Sequence, residues 1–375
     1  MSGYFDNSAT TKPCPQAVEI FNSLAENRYG NPASLHSMGI KSHIEVEKAR
    51  EIIANQIFCQ SNEIFFTSGG TQSNNMAILG ASLANRRRGN KIVITSIEHP
   101  SVSRTADFLS ENGFEVIRLT VLPNGDFIDE EVEQAITANT VLVSSMLINN
   151  ETGIILNTDK LKRAIQKNAP KCCFHIDAVQ AFGKIDVNVN RLGCDLLSIS
   201  AHKIHAFKGV GALYKKKGTN LKQTVFGGGQ ESGLRSGTVP TELIGAFGAA
   251  VKEIDVKRDA EKYEALRERL ISKLDGADYR INFQDGVQKG IVSLALLGIK
   301  SEVLLHFLSE RDIYVSSGSA CSRGKKSEVL KNLGLPDNII DSTIRISFSR
   351  YNTFDEVDSL AQMLKEAERM LARKK

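Results

Sequence analysis

The stretch LLSISAHKIHAFKGVGALY, Leu196 to Tyr214, decides the fold. Its first residues are apolar and β-prone, the pattern of a strand buried on both faces of a parallel sheet. They run into a polar turn that carries Ser200, His202 and Lys203. In an open α/β sheet, ligands bind outside the carboxyl ends of the strands, so this turn sets an amine where a ligand would meet it. A solvated loop lysine is the plain alternative for any one of the 47 Lys and Arg residues. Lys203 therefore gains its weight from what the neighbouring strand ends carry.

Four other apolar runs end in chemistry. EIFFTSGGTQSNNMAILGA, Glu63 to Ala81, reads as strand, Gly69-Gly70 turn, then a helix opening at Thr71. Two glycines let the backbone approach an anion, and the N–H groups and positive dipole end of a helix face it. A tight turn alone would use the same two glycines. KIVITSIEHPS, Lys91 to Ser101, delivers His99, although a satisfied core imidazole is the more frequent fate of a single histidine. TVLVSSMLINNETG, Thr140 to Gly153, is a long β-prone run ending at Asn149, Asn150 and Glu151, and CCFHIDAVQAFGK, Cys172 to Lys184, delivers Asp177 with Gln180 three residues on. Asp177 could also cap a helix beginning at Ala178.

Two stretches in the last third stand out. YVSSGSACSRGKKSEVL, Tyr314 to Leu330, sets Cys321 in a Ser/Gly-rich segment followed by Arg323, Lys325 and Lys326. Such a composition favours a mobile loop, and nearby cations favour the reactive thiolate; a surface cysteine in a charged turn reads equally well. STIRISFSRYNT, Ser342 to Thr353, is a strand presenting Arg345, whose guanidinium can grip a carboxylate through two parallel hydrogen bonds. Arg350 is the alternative grip and reads as an exposed residue.

At 375 residues the chain can bury a large core and suggests about two domains. The formal charge of +4, with both signs interspersed, argues against nucleic acid or a membrane surface as a direct partner. The start MSGYFDNSATT lacks the pattern of a signal peptide, and no apolar run nears the roughly 18 residues that span a bilayer, so a cytoplasmic protein is expected. Six cysteines without a C-x-x-C pair suit neither a zinc site nor a disulfide framework, and no metal site is expected.

Helices are expected from Pro15, from Ser42 to Gln56 and over Glu242–Leu274, including an amphipathic Lys257–Lys273. Short strands at Ile291–Leu297, Ile313–Val315 and Ile344–Ser347, with helices at Glu302–Ser309 and Phe354–Arg373, read as a small α+β unit. The glycine-rich FGGGQESGLRSGTVP, Phe226 to Pro240, suits no regular element.

Ser-x-His-Lys followed by Lys-Gly-x-Gly-x-Leu-Tyr resembles the Schiff-base lysine segment of pyridoxal-phosphate (PLP) enzymes of the class V aminotransferase type, with the cysteine desulfurases the closest match. SSGSAC resembles the catalytic-cysteine motif of the NifS/IscS-like group. The resemblance runs from DNSATT to the final helix. It implies fold type I, an α/β large domain with a mainly parallel sheet flanked by helices (13–255) and a smaller α+β domain (1–12 and 256–375).

The same resemblance implies PLP as cofactor, with its phosphate at Gly70 and Thr71, further cofactor contacts from Ser200, His202 and Lys203, and Thr238 completing the phosphate site of a neighbouring subunit in a homodimer. His99 would lie over the pyridine ring, Asp177 would keep its nitrogen protonated, Gln180 would donate to its phenolic oxygen, and Asn150 would sit beside it. Lys203, Cys321 and His99 would be catalytic, with L-cysteine held by Asn7, Asn150 and Arg345. Sulfur would pass to an iron–sulfur scaffold or a tRNA-thiolation protein. A selenocysteine lyase, an aminotransferase, a silent binding subunit and an iron–sulfur carrier are the rival readings. Three departures from the family pattern are Gln72 where many relatives have Glu, Phe207 where a Gly-Pro pair is usual, and a short, Lys-rich loop after Cys321.

Overall fold

The computed structural model describes residues 2–317 and 326–371. In chain order the strands are β1 (Gly3–Tyr4), β2 (Ile64–Thr67), β3 (Lys91–Thr95), β4 (Glu115–Leu119), β5 (Thr140–Met146), β6 (Cys173–Asp177), β7 (Leu196–Ser200) and β8 (Gly211–Lys215). They are followed by β9 (Tyr279–Ile281), β10 (Ile291–Leu296), β11 (Ile313–Tyr314) and β12 (Thr343–Ser347). Seven of them form one sheet in the order β2-β8-β7-β6-β5-β3-β4. Only β8 runs against its neighbours there, so β2, β3, β5, β6 and β7 all end on the same edge.

The sheet is buried on both faces, which is why its strands show no polar alternation. Every residue of β5, β6 and β7 is buried. Ile92 and Ile94 pack into one core with Leu142, Leu196 and Leu213, while Val93 packs into another with Val143, Leu197 and Ala212. Successive side chains thus feed opposite layers, the period-two rule of a strand. The helix Gly70–Asn85 contributes Met76, Ala77 and Ile78 to the first layer.

A third core lies apart. It joins Phe5 to Leu266 and Leu270 of the helix Val256–Lys273, to Leu294 and Ile344 of the antiparallel β12-β10-β9 sheet, and to Leu360 and Leu364 of the helix Phe354–Met370. β1 pairs with β11, and Asp6 bridges to Ser347, so the first residues of the chain pack with the last third. Leu330, Leu333 and Ile340, by contrast, pack into the larger core.

Two expectations need correction. The second helix starts at Ser37 rather than Ser42, capped by His36 accepting from Gly39 N, and Gly39 serves a close approach inside it. A Cβ there would lie 2.3 Å from Ser34 O. The helical pattern expected over 242–274 holds, as two helices, Thr241–Lys252 and Val256–Lys273, and the Asp255 carboxylate caps the second. Arg350 is not exposed: its side chain is 10% accessible, and its guanidinium donates to Glu253 O and lies 3.3 Å from the buried Asp259 carboxylate.

Candidate active site

The turns that leave β2, β3, β5, β6 and β7 bring Gly70, His99, Asn150, Asp177 and Lys203 to one sheet edge. Beneath them His175 is fully buried, with Ser144 Oγ at 2.8 Å and Ser198 Oγ at 3.0 Å, tying three adjacent strands with polar side chains. Burial pushes its pKa down to about 3, so this imidazole stays neutral and structural.

Lys203 is held by the start of the chain. Its Nζ donates to Ser8 O (2.6 Å) and Ala9 O (2.7 Å). The turn around it is braced by the same segment, since Thr11 N and Oγ1 both donate to His202 O while Thr11 Oγ1 accepts from His205 N. His205 adopts a φ of +69°, a left-handed conformation unusual for a residue with a Cβ. DNSATT, which reads as a plain polar loop, is therefore the seat of the lysine.

Asp177 and His99 share a network. Asp177 Oδ1 accepts from Val179 N (2.9 Å), and Oδ2 accepts from Asn74 Nδ2 (2.7 Å). Asn74 Nδ2 also donates to Ser101 Oγ at 2.9 Å, and that hydroxyl lies 2.8 Å from His99 Nδ1. The backbone N–H of Ser101 donates to the same Nδ1, so a neutral His99 carries its proton on Nε2. Burial lowers the His99 pKa, the Asp177 charge opposes this, and Lys203 reinforces it. Burial raises the Asp177 pKa against the pull of Val179 N–H, His99, Asn74 and Lys203. The three charges act on one another, so they form one electrostatic unit.

The glycine turn opens an anion cradle. Gly69 has a φ of +143° and no side-chain cap covers the N-terminus that follows it. Across from it, a Cβ on Gly211 would come 2.8 Å from Gly69 Cα, so the turn packs backbone to backbone. Ser200 Oγ, 3.9 Å from the Cβ position of Gly69, is buried without a hydrogen-bond partner among the described residues. An orphaned hydroxyl beside an uncapped helix N-terminus fits a phosphate. Together with Asp177 for a ring nitrogen and an amine at Lys203, the residues present fit PLP.

Arg345 lies at the other wall, 3% accessible. Its Nη2 donates to Asp6 Oδ1 (2.7 Å) and its Nη1 to Asn150 O (3.0 Å), while Nε is buried with no partner among the described residues. Asn7 is also buried, and its Nδ2 donates to Tyr4 O and Ser347 O. Asn149 Oδ1 accepts from Glu151 N, Thr152 N and Thr152 Oγ1, so it builds the turn that presents Asn150.

The family model described as aminotransferase class-V matches residues 3–360. The chain belongs to the class-V aminotransferase family. It is 37% identical to the cysteine desulfurase IscS of Clostridium botulinum, over 96% of this chain and 93% of that protein. Among solved structures it is similar to a NifS-like protein, with 35% identity, a TM-score of 0.94, and coverage of 99% of this chain and 100% of that one. It is also similar to SspA in complex with cysteine, with 32% identity, a TM-score of 0.82, and coverage of 94% of this chain and 100% of that one. The α/β architecture with a mainly parallel sheet is that of these NifS-like structures.

Other residues singled out in the sequence can now be located. His202 Nδ1 lies 3.2 Å from Thr10 Oγ1, and burial with the Lys203 and Lys208 charges lowers its pKa to about 4. Thr71 and Thr238 are exposed on the single chain. Gln72 Oε1 accepts from Ser68 N (2.8 Å) and Arg235 Nε (3.2 Å), so the amide fills its place as an acceptor. Phe207 stacks at 4.7 Å on Phe21. Cys321, with Arg323 and Lys325, lies outside the described residues. On its two sides, Ser316 N donates to Arg345 O (3.1 Å) and Ser327 Oγ donates to Glu151 Oε2 (2.5 Å).

Sequence reasoning passed over Asn74, Ser101, Asp6 and the carbonyls of Ser8 and Ala9. Asn74 follows Gly70 by four residues and so projects from the same helix face, a spacing that could have exposed it. The others meet the site only through long-range folding. Among the described residues no helix is long and apolar enough to cross a membrane, and no group of three or more His, Cys, Asp or Glu could hold a metal ion.

Proposed function

We infer that this protein is a PLP-dependent cysteine desulfurase that converts L-cysteine to L-alanine and retains the sulfur as a persulfide on Cys321. The carrying observation is the convergence of the Lys203 amine, the Asp177 carboxylate and the His99 imidazole at one sheet edge, beside a Ser200 hydroxyl with no partner among the described residues. Membership of the class-V family, with relatives bearing that name, supports it.

Gly70, Thr71, Ser200 and His202 would hold the phosphate, with Thr238 of a second copy completing it in a homodimer. Asp177 would face the ring nitrogen, Gln180 the phenolic oxygen, His99 the ring face and Asn150 its edge, with Lys203 at the reactive carbon. PLP supplies a sink for the electron pair released at the substrate α-carbon. Arg345 binds the substrate carboxylate beside Asn7 and Asn150, which orients the amino group toward Lys203. Lys203 Nζ takes the α proton and returns one to the product carbon. Cys321 thiolate attacks the substrate sulfur: a sulfur–sulfur bond forms, the carbon–sulfur bond breaks, and its electron pair leaves with the carbon skeleton that becomes alanine. The anchorage of Ser316 and Ser327 at Arg345 and Glu151 supports Cys321 acting at this site.

The reaction site would lie between a large domain of residues 13–255 and a smaller one of 1–12 and 256–375, the latter carrying Cys321 and Arg345. The persulfide would pass to an iron–sulfur scaffold or a tRNA-thiolation protein in the cytoplasm. The deciding experiment is the visible spectrum of purified protein, followed by L-cysteine with alanine and sulfide measured together in the presence of a thiol reductant. A visible band, with alanine appearing in step with sulfide, is expected. Bound PLP without alanine would move the reading to another fold type I enzyme, such as an aminotransferase, and no PLP after reconstitution would end it.

A further inference from the structure

Lys184 is a second lysine at this site, 8% accessible and without an assigned role. It lies in the turn after β6, four residues beyond Gln180, and its Nζ donates to Gln180 Oε1 at 2.5 Å. Gln180 Nε2 in turn donates to Ser8 O at 2.7 Å, the same carbonyl that accepts from Lys203 Nζ at 2.6 Å. An ammonium can only donate and a carbonyl can only accept. Each end by itself requires the same direction of the Gln180 amide, so Lys184 and Ser8 O reinforce one another. The side chains of Lys184, Gln180 and Lys203 thus form one relay converging on Ser8 O.

We propose that Lys184 is a positioning residue for the desulfurase reaction, orienting the Gln180 amide toward the cofactor and adding positive charge beside Lys203. This rests on the reading of Lys203 and Gln180 as PLP contacts. The electrostatics agree with the geometry: burial, then Lys203, then Arg345 lower the Lys184 pKa to about 7. Such coupling is mutual, so the Lys184 charge disfavours a proton on the Lys203 nitrogen in return.

The test is the visible absorbance of PLP-loaded protein titrated against pH, for the parent and for Lys184→Met. The methionine keeps the apolar length while removing donor and charge. The band should titrate higher in Lys184→Met by roughly half a pH unit to one unit. Adding Lys184→Met to Gln180→Leu should shift it by less than it does in the parent, because part of the effect travels through Gln180. Should Lys184→Met fail to fold, Lys184→Gln removes the charge with a polar replacement, and the same upward shift is expected. Identical titrations of parent and folded variant would overturn the role of Lys184. A parent without a visible band would instead overturn the PLP reading on which it stands.

Discussion

Arg345 and Asp6 meet at 2.7 Å across 339 residues of chain, a carboxylate from the first turn holding a guanidinium from β12. Asp6 orients the fork while Asn150 O fixes its other arm. Arg345→Lys should therefore raise the KM for L-cysteine by about tenfold or more, since an ammonium cannot reproduce the paired hydrogen bonds. Asp6→Ala should destabilise the fold by about 3 kcal/mol, because it leaves a buried cation uncompensated. Steady-state kinetics and urea denaturation measure the two effects; an unchanged KM in Arg345→Lys would move the carboxylate grip elsewhere.

The glycine-rich segment is pinned by one ion pair. Glu231 accepts from Arg50 Nη1 and Nη2 at 2.8 and 2.9 Å and from Phe66 N at 2.7 Å. Its φ of +50° is another left-handed conformation in a residue with a Cβ. Glu231→Ala should cost about 3 kcal/mol, because Arg50 is only 12% accessible and loses its bidentate partner. Thermal or urea unfolding reads the loss, and hydrogen exchange should rise selectively over 226–237.

Glu151 couples stability to pH. Burial pushes its carboxyl up to about 7, against the Ser327 hydrogen bond and the Arg345 charge. The unfolded value is about 4.3, so the native state binds the extra proton between the two values. Its contribution is complete below about pH 4.3 and is lost as pH rises through 7. Glu151→Gln, which mimics the protonated form, should gain on the parent by about 3 kcal/mol between pH 4.5 and 7.5. Urea denaturation of the PLP-free protein across that range checks it, and parallel curves would contradict it.

Cys321→Ala should retain bound PLP and its visible band while losing persulfide formation and sulfide release under reducing turnover. Mass spectrometry after L-cysteine addition resolves the persulfide as a gain of one sulfur in the parent alone. Desulfuration at the parent rate by the variant would remove Cys321 from the mechanism.

Ser200→Ala should weaken PLP binding modestly, by about 1 kcal/mol, with little change in PLP-free stability. The hydroxyl is buried without a partner among the described residues, so its removal breaks no hydrogen bond there. Equilibrium binding of PLP measures the difference.

Much of the site was legible because it is local. Strand, turn and the residue after the turn are set by short-range pattern, so Lys203, Asp177, His99 and Gly70 could be read as strand-end residues one motif at a time. Asn150 was legible in the same way, although the residue that shapes its turn is Asn149. The helix at Ser37 was missed because a glycine that serves close packing looks, in one dimension, like a glycine that ends an element. Arg350 was misjudged for a related reason: its partners, Asp259 and Glu253 O, are about 90 residues away in sequence.

The amino-acid sequence by itself determined the strand-to-turn units, the class of their side chains and, through family resemblance, the chemistry expected of them. Those follow from periodicity and backbone permissiveness, which act over a few residues. Only the tertiary structure decided that DNSATT is the seat of Lys203, that Asp6 holds Arg345, and that Lys184 donates to Gln180. Each depends on hydrogen bonds between groups brought together by burial, and burial is a property of the whole chain.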